Sequence, residues 1–545
     1  MNHQHWAPFN VPLIRHEAHF NDRVIRCFAE RPQSFHAMFE ATLAAHPSRR
    51  AIVFEGSSMD YAALDAEVGR IAAGLAQQGV ARGDRVVLFI TNRPEFVSVL
   101  LATQRLGAIA VPVGTREQKP GLAYVLRQSG AKAVVFDASL ADVLPAPEDA
   151  PGLMVSISVD EALPTLGRGL PPVRDAAHVK EEDTAVLLYT SGTTGNPKGA
   201  MLSHFNIVHS SLHYQACFGL NENDCAGLAV PASHVTGLIA VIAAMLRVGG
   251  AMLVFREFHA EQFVATAAQE RMTYTLMVPA MYNLCLMRGA MEAHDLSAWR
   301  IGGFGGAPMP PSTVDAMAQK LPGLALVNAY GATETTSPAT AVPIGSTGAG
   351  NDSVGVALPC ASVIAVDDDG VEVAPGASGE LWIAGPMVVR GYWDNPDATA
   401  QGFTAGYWHS GDIGSIDAQG FVRILDRKKD MLNRGGYKIY SAEVENVLMA
   451  LPGVLEAAVV GRPCPVLGER VHAFLYAPAG GLDAAAVQLH CAARLADYKV
   501  PEGVTLMDGP LPRNANGKLL KRSLRTLAEE SAADVAALSR PRQPS

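Results

Sequence analysis

Between residues 33 and 140, short apolar runs alternate with longer amphipathic ones. AIVFEG (51–56), RVVLFI (85–90), AIAVPV (108–113) and KAVVFD (132–137) are brief and β-branched, so they read as strands. Residues 61–79 and 95–107 space their apolar side chains three and four apart, as one face of a helix requires. Strand–helix alternation implies parallel sheets covered by helices. The pattern recurs at 183–190, around 227–278 and at 325–330. From about 354 to 425 the texture changes to short strands joined by Asp/Gly turns, VIAVDDDGVEV, GELWIAG and FVRILD, which predict a small β-subdomain. After DRKKDMLNRGGYKIY (426–440), with Ser441 expected as an N-cap, the chain reads helix, strand, strand, helix, strand. The predicted fold is therefore α/β: a large domain of layered βα subdomains with a small β-subdomain (1–425), then a small α+β domain (426–530). The Ala/Ser/Pro-rich residues 531–545 are expected to be frayed.

The 545 residues, 49% hydrophobic and 18% charged, can bury a large core, which excludes disorder as the main state. A net charge of −10 gives no electrostatic footprint for nucleic acid. Seven scattered cysteines without C-x-x-C predict reduced thiols and a cytoplasmic protein rather than a disulfide framework or zinc site. The first 17 residues contain no uninterrupted apolar segment, so no secretory signal is expected. Cys225 to Leu246 carries no formal charge, but Pro231, Ser233, His234 and Thr236 interrupt it; a buried core helix is expected there, not a membrane span.

The most informative segment is YTSGTTGNPKG, Tyr189 to Gly199. It follows an apolar strand and sets Thr190, Ser191, Thr193 and Thr194 around Gly192 and Gly195, with Lys198 behind them. Glycines let backbone N–H groups approach a polyphosphate, hydroxyls add donors, and lysine adds a mobile charge. The spacing is not that of the P-loop G-x-x-x-x-G-K-[ST], because Pro197 precedes Lys198 and Gly199 follows it.

This loop resembles the phosphate-loop signature of the adenylate-forming superfamily, which includes acyl-CoA synthetases, aryl-CoA ligases, luciferases and peptide-synthetase adenylation domains. PASHVTG (231–237), GGAP (305–308), NAYGATE (328–334), GELWIAG (379–385), GYW (391–393), HSGD (409–412), DRKKDMLNRGGYKIYSAEVE (426–445), DYKVP (497–501) and LPRNANGKLLKR (511–522) follow in the family's order. The likeness runs over about residues 35 to 527.

The resemblance implies an ATP-dependent activation of a carboxylic acid to an acyl-adenylate, then transfer to the thiol of CoA. A stand-alone enzyme loading a carrier protein is the alternative. It implies that Thr190, Ser191, Gly192, Thr193, Thr194 and Lys198 hold the β- and γ-phosphates. Tyr330 would stack on adenine within NAYGATE, beside Gly331, with Gly305, Gly306 and Ala307 along the purine. Thr333 would meet the α-phosphate and Glu334 would help hold Mg²⁺. Asp412 would accept both ribose hydroxyls, with Arg427 beside it. Lys518 would bridge carboxylate and α-phosphate, so Lys518, Thr190 and Glu334 are the candidate catalytic residues. The small domain would turn about Lys429, bringing Gly435 and Gly436 to the pantetheine tunnel. His234 resembles a gate of the acyl pocket, with Val235 and Gly237 beside it and Met277, Gly303 and Ala332 among its walls. PASHVTG holds no aspartate to pair an ammonium, and the walls are small or apolar with no cation for a second carboxylate, so a hydrophobic acid is expected, fatty, alicyclic or aryl. A homodimer is compatible with the resemblance.

Overall fold

The computed structural model describes residues 3–190, 196–346, 352–478, 480–513 and 519–538. The β-branched runs form strands where the pattern places them: Arg50–Phe54, Arg85–Phe89, Ile109–Pro112 and Ala133–Phe136. The two amphipathic segments form helices Tyr61–Gln77 and Pro94–Arg105. Asp60 opens the first by accepting the Ala63 amide, and Pro94 sits at the first turn of the second, where its missing N–H costs nothing.

Six strands make one sheet, in the order Lys198–Ser203, Thr184–Thr190, Ile109–Pro112, Arg85–Phe89, Ala133–Phe136, Val155–Ser158. All neighbours are parallel except the first pair, which is an antiparallel hairpin. Nine strands make a second sheet, parallel from Ala325–Tyr330 through Ile301–Phe304, Tyr274–Met277, Cys225–Leu228 and Ala251–Val254 to Arg50–Phe54. Both sheets share a continuous apolar core that includes Val86, Leu88, Leu238, Ile242, Leu276 and Ile301.

The uncharged stretch 225–246 holds the expected buried helix in its second half only. Its first part is the buried strand Cys225–Leu228, and only after Pro231 does a buried helix begin, π-type over Thr236–Ala243 and α over Ala244–Val248. Fully buried strands and buried helices are both continuously apolar, so hydropathy alone does not separate them. Among the described residues no helix is long and apolar enough to cross a membrane.

Contacts divide the chain into two compact units: Met1–Ile364, Trp382–His409 and Asp417–Val422 form one, and Ala365–Leu381, Ser410–Ile416 and Arg423–Ser545 the other. The short-strand region 354–425 supplies a five-stranded sheet, ordered Ser362–Val366, Ser378–Ala384, Tyr407–Ile416, Phe403–Thr404, with Val422–Arg427 paired to Tyr407–Ile416. The second unit ends in another five-stranded sheet covered on both faces. Val459, Val471 and Leu475 pack with Val444, Leu448 and Val487 of helices Ser441–Met449 and Ala484–Ala492. Ala458, Val460 and Phe474 alternate to the other face and meet Leu524 and Ala528 of helix Lys521–Leu538. Residues 531–538, expected to be frayed, continue that helix, as an alanine-rich stretch favours.

Ser441 is not the N-cap but the first helical residue. Its amide and hydroxyl both bond the buried Asp426 carboxylate, and Lys521 Nζ donates to Ser441 Oγ at 2.7 Å. The helix is thus capped by a residue fifteen positions upstream.

At the N-terminus, Ile14–His19 and Arg23–Phe28 form a hairpin tied down by Arg31, which donates to both oxygens of Glu17 and both of Glu181. Glu17, His19 and Cys27 have metal-ligand spacing. Arg31, however, already supplies the positive charge and holds Glu17 well below the usual carboxylate range.

Candidate active site

The hairpin Thr184–Thr190/Lys198–Ser203 sets Thr190 opposite Lys198 in register. Ser191, Gly192, Thr193 and Thr194 lie outside the described residues, as does Lys518. Both stems of the loop are pinned. Tyr124 donates to Pro197 O at 3.1 Å, and Tyr189 donates to Gln128, whose Nε2 bonds Trp393 O at 2.7 Å.

Segment 391–393 runs antiparallel to 199–201: Trp393 N donates to Gly199 O at 2.7 Å and Met201 N to Gly391 O at 3.1 Å. This alignment puts the Tyr392 ring beneath Lys198, with Nζ 5.2 Å from the ring centroid. The Tyr392 hydroxyl donates to Glu334 Oε1 at 2.9 Å. Glu334 is buried, 8% exposed, in the single turn Thr333–Thr335. Burial and the neighbouring Glu334 carboxylate together push the Tyr392 phenol well above its usual range, so it stays a donor. A lysine, a tyrosine and a glutamate from three distant parts of the sequence thus form one connected group. GYW was legible as a motif, but nothing in its sequence context tells that Tyr392 bonds Glu334.

The backbone around this group is fixed from two sides. Ser203 and Asn206 close a capping box at helix His204–Phe218, and Asn206 Nδ2 donates to Pro386 O at 2.7 Å and Val388 O at 3.1 Å. Val389 N then donates to Glu334 O at 2.9 Å. Tyr214, on the same helix, hydrogen-bonds Ser337 Oγ at 3.2 Å. Thr336 and Ser337 hold φ of 47° and 34°, a left-handed backbone costly for such residues, directly after the buried carboxylate.

Gly305, Gly306, Ala307, Tyr330, Gly331 and Thr333 all lie at or just past the carboxyl ends of the parallel strands Ile301–Phe304 and Ala325–Tyr330, where open α/β sheets bind ligands. A side chain at Gly305 would sit 2.4 Å from Ala329 O, so only glycine fits beside the neighbouring strand. Tyr330 and Ala332 pack at the edge of the main core, which contains Val235. His234 precedes the helix that begins at Thr236, and the Thr236 amide donates to its Nδ1 at 3.4 Å. The residue is exposed, yet enclosed enough that burial lowers its pKa. Gly237 meets Pro231 O so closely that a Cβ there would lie 2.3 Å away.

Met277 is the exception among the expected pocket residues. Leu276 pairs with Gly303 and belongs to the main core, whereas Met277 turns to the opposite face and is fully buried against Phe304, Met281 and Trp299. Successive strand residues face opposite ways, so Met277 and Gly303 do not share a wall.

In the second unit, Arg427 Nε lies 2.7 Å from Oδ1 of the buried Asp412. Glu380 braces this pair: its Oε1 accepts Gly411 N at 3.3 Å and its Oε2 accepts Lys428 Nζ at 2.9 Å. Gly435 and Gly436 have φ of 60° and 90° and form the two-residue turn between Leu432–Arg434 and Tyr437–Ile439. Such a turn needs positive φ at both positions, which is reason enough for the two glycines.

Residues 39–393 match the family model of the AMP-binding enzyme, and residues 443–518 that of the AMP-binding enzyme C-terminal domain. The chain is 34% identical over 487 residues to a feruloyl-CoA synthase of Amycolatopsis sp, covering 88% of this chain and 96% of the relative. It is 33% identical over 472 residues to the long-chain-fatty-acid–CoA ligase FadD13 of Mycobacterium tuberculosis, covering 86% and 92%. The ATP-bound crystal structure of MatB from Rhodopseudomonas palustris superposes with a TM-score of 0.85 at 31% identity, covering 92% of this chain and 100% of MatB. The chain belongs to the AMP-binding enzyme family and is an AMP-forming acid–thiol ligase.

Proposed function

We propose that the chain activates a hydrophobic carboxylic acid with ATP and passes the acyl group to CoA. The linked Lys198–Tyr392–Glu334 group carries this reading, because it sets a cation and a buried carboxylate around one tyrosine beside the stem of a glycine-rich loop. The acid's oxygen bonds the α-phosphorus as the bond to pyrophosphate breaks. The CoA sulfur then bonds the acyl carbon, and AMP leaves with the electrons of the carbon–oxygen bond. Both steps gather charge on phosphate and carboxyl oxygens, so positioned donors and cations lower their barriers.

In this reading Thr190, Lys198 and the loop between them bind the β- and γ-phosphates. Gly305, Gly306, Ala307, Tyr330 and Gly331 receive the purine, and Thr333 the α-phosphate. Glu334 is a hard oxygen ligand, suited together with phosphate oxygens to Mg²⁺, which when bound offsets the triphosphate charge. Asp412, oriented by Arg427, receives the ribose hydroxyls. Lys518 bridges the reacting groups, and the segment with Gly436 meets the pantetheine arm in the second step. His234, Val235, Gly237, Gly303 and Ala332 shape the acyl pocket; Met277 is left out of it. The relatives named for aryl and fatty acids support a hydrophobic acid. Seven unpaired, buried cysteines support a reducing, cytoplasmic setting. A homodimer completes the reading and is tested by light scattering of the purified chain.

The test is acid-dependent pyrophosphate release over a panel of fatty, aryl and alicyclic acids, with and without CoA, products identified by mass. An acyl-CoA product is expected. Accumulated acyl-AMP without thioester would point instead to a carrier protein as acceptor, and silence across the panel would remove the hydrophobic-acid reading.

A further inference from the structure

In the first unit, the N-terminal segment passes over helix His204–Phe218 and leaves a cleft of about 640 Å³, within the range of small-molecule sites. Phe9, Pro12, Pro32, Leu212, Ala216 and Leu220 give it apolar walls. None of the residues proposed above to bind ATP or the acid lines it.

Arg247, in the last turn of helix Ala244–Val248, brings a guanidinium into this cleft. The side chain is half-buried, and its Nε donates to Gln215 Oε1 at 3.0 Å. Among the described residues it has no carboxylate partner, and its two terminal nitrogens donate to nothing. Burial lowers its pKa with no acid to offset the effect. The other charged groups of the cleft do not change this. Arg31 is consumed by Glu17 and Glu181, and Glu30 is exposed at the rim, where water screens it. A cation in a last helical turn offsets the carbonyls there, but that role does not use the two terminal nitrogens. A half-buried guanidinium whose two terminal nitrogens face the cleft without a carboxylate offers a planar fork that suits an anion, and the neighbouring Phe9, Leu212 and Leu220 suit an apolar body.

We propose that this cleft binds an amphipathic carboxylate of the medium-chain fatty-acid type, its head forked on Arg247 and its chain along Phe9, Leu212 and Leu220. Two parallel N–H···O bonds from the terminal nitrogens match a carboxylate, while Gln215 holds the Nε edge. The site is separate from the proposed acyl pocket and does not depend on that reading.

A diazirine-bearing decanoate, irradiated with the full-length protein and mapped by peptide mass, tests it. Labels are expected on the peptides containing residues 8–12 and 212–220, and roughly tenfold less in R247Q, as for loss of a charged hydrogen-bonded partner. Q215E supplies an internal carboxylate to Arg247, so it too is expected to lose labelling, with an unchanged or raised melting midpoint. The corresponding diazirine alcohol, which lacks the charge, is expected to label these peptides weakly. Acid-dependent pyrophosphate release by both variants is expected to match the parent. Absence of label on these peptides overturns the proposal. So does labelling that both variants leave unchanged, or equal labelling by the alcohol.

Discussion

Tyr392 joins two groups that the chemistry needs close together, and its removal can be dissected. Tyr392→Phe keeps the ring under Lys198 but takes the hydroxyl from Glu334 Oε1. A hydrogen bond to a charged group is worth roughly 1.5–3 kcal/mol, so kcat/KM for MgATP is expected to fall about ten- to a hundredfold. The half-saturating Mg²⁺ concentration is expected to rise, because Glu334 loses its orientation. Tyr392→Leu removes the ring as well and is expected to fall further. If steady-state pyrophosphate release in Tyr392→Phe keeps the parent's Mg²⁺ dependence, the tyrosine only packs. Lys518 makes a complementary case: Lys518→Ala is expected to slow adenylation by roughly two to three orders of magnitude, as for loss of one transition-state donor. Thioester formation from preformed adenylate is expected to persist, and equal loss in both half-reactions would remove its assignment. At this scale the sequence reveals residue types and their order, such as Lys198 and Glu334 in their motifs. It does not reveal the bond between Tyr392 and Glu334, because 58 positions separate them and they meet through tertiary contacts, the Val389 N–Glu334 O bond and the packing of 391–393 on 199–201.

Helix Ser441–Met449 shows where element-scale reading succeeds and where it stops. Its position follows from the apolar spacing of Val444 and Leu448, which turn to the core. Its start does not, because the capping group comes from another strand. Asp426 accepts Ser441 N and Oγ and also Arg427 N, so one carboxylate ties the helix to the strand that carries Arg427. Loss of a helix cap costs roughly 0.5–2 kcal/mol. Asp426→Ala is therefore expected to speed amide exchange at the first turn, 441–443, by up to about thirtyfold. Exchange in helix Ala484–Ala492 is expected to change much less. Uniform acceleration across the second unit, or none at Ser441, would contradict the cap. The same limit applied at 225–246, where strand and helix share one apolar texture. The brief β-branched strands at 85–89 and 133–136 were legible because length and branching together leave little alternative.

For the molecule as a whole, the dominant acid-sensitive feature is a set of neutral, buried histidines. Desolvation leads the list of causes for each: it lowers His36 to about 3 and His204, His213 and His472 to about 4, and it holds His209 well below its usual value. Three of them, His204, His209 and His213, sit on the single helix that also positions Asn206 and Tyr214. Their hydrogen bonds suit the neutral ring. His209 Nε2 accepts the Phe28 amide at 3.2 Å, and His36 Nε2 accepts from Arg105 at 3.1 Å, so neither nitrogen has room for a proton. Unfolded, each ring titrates near its ordinary value of about 6.5. Between that pH and about 4 the unfolded chain therefore binds more protons than the folded one, and stability must rise with pH and fall as acid is added. Carboxylates held low by partners, such as Asp84, Asp160 and Asp183, add to the loss only at lower pH, since their free forms titrate near 4. At pH 5 these five histidines predict uptake of about five protons on unfolding, each worth roughly 1.4 kcal/mol per pH unit in the stability slope. Scanning calorimetry between pH 8 and 5, in buffers of different ionisation enthalpy, measures both the falling midpoint and the protons taken up. His213→Gln is expected to lower the uptake by about one proton, whatever it does to the midpoint. A midpoint that stays level from pH 6.5 to 5 would mean that these histidines are not held neutral by the fold.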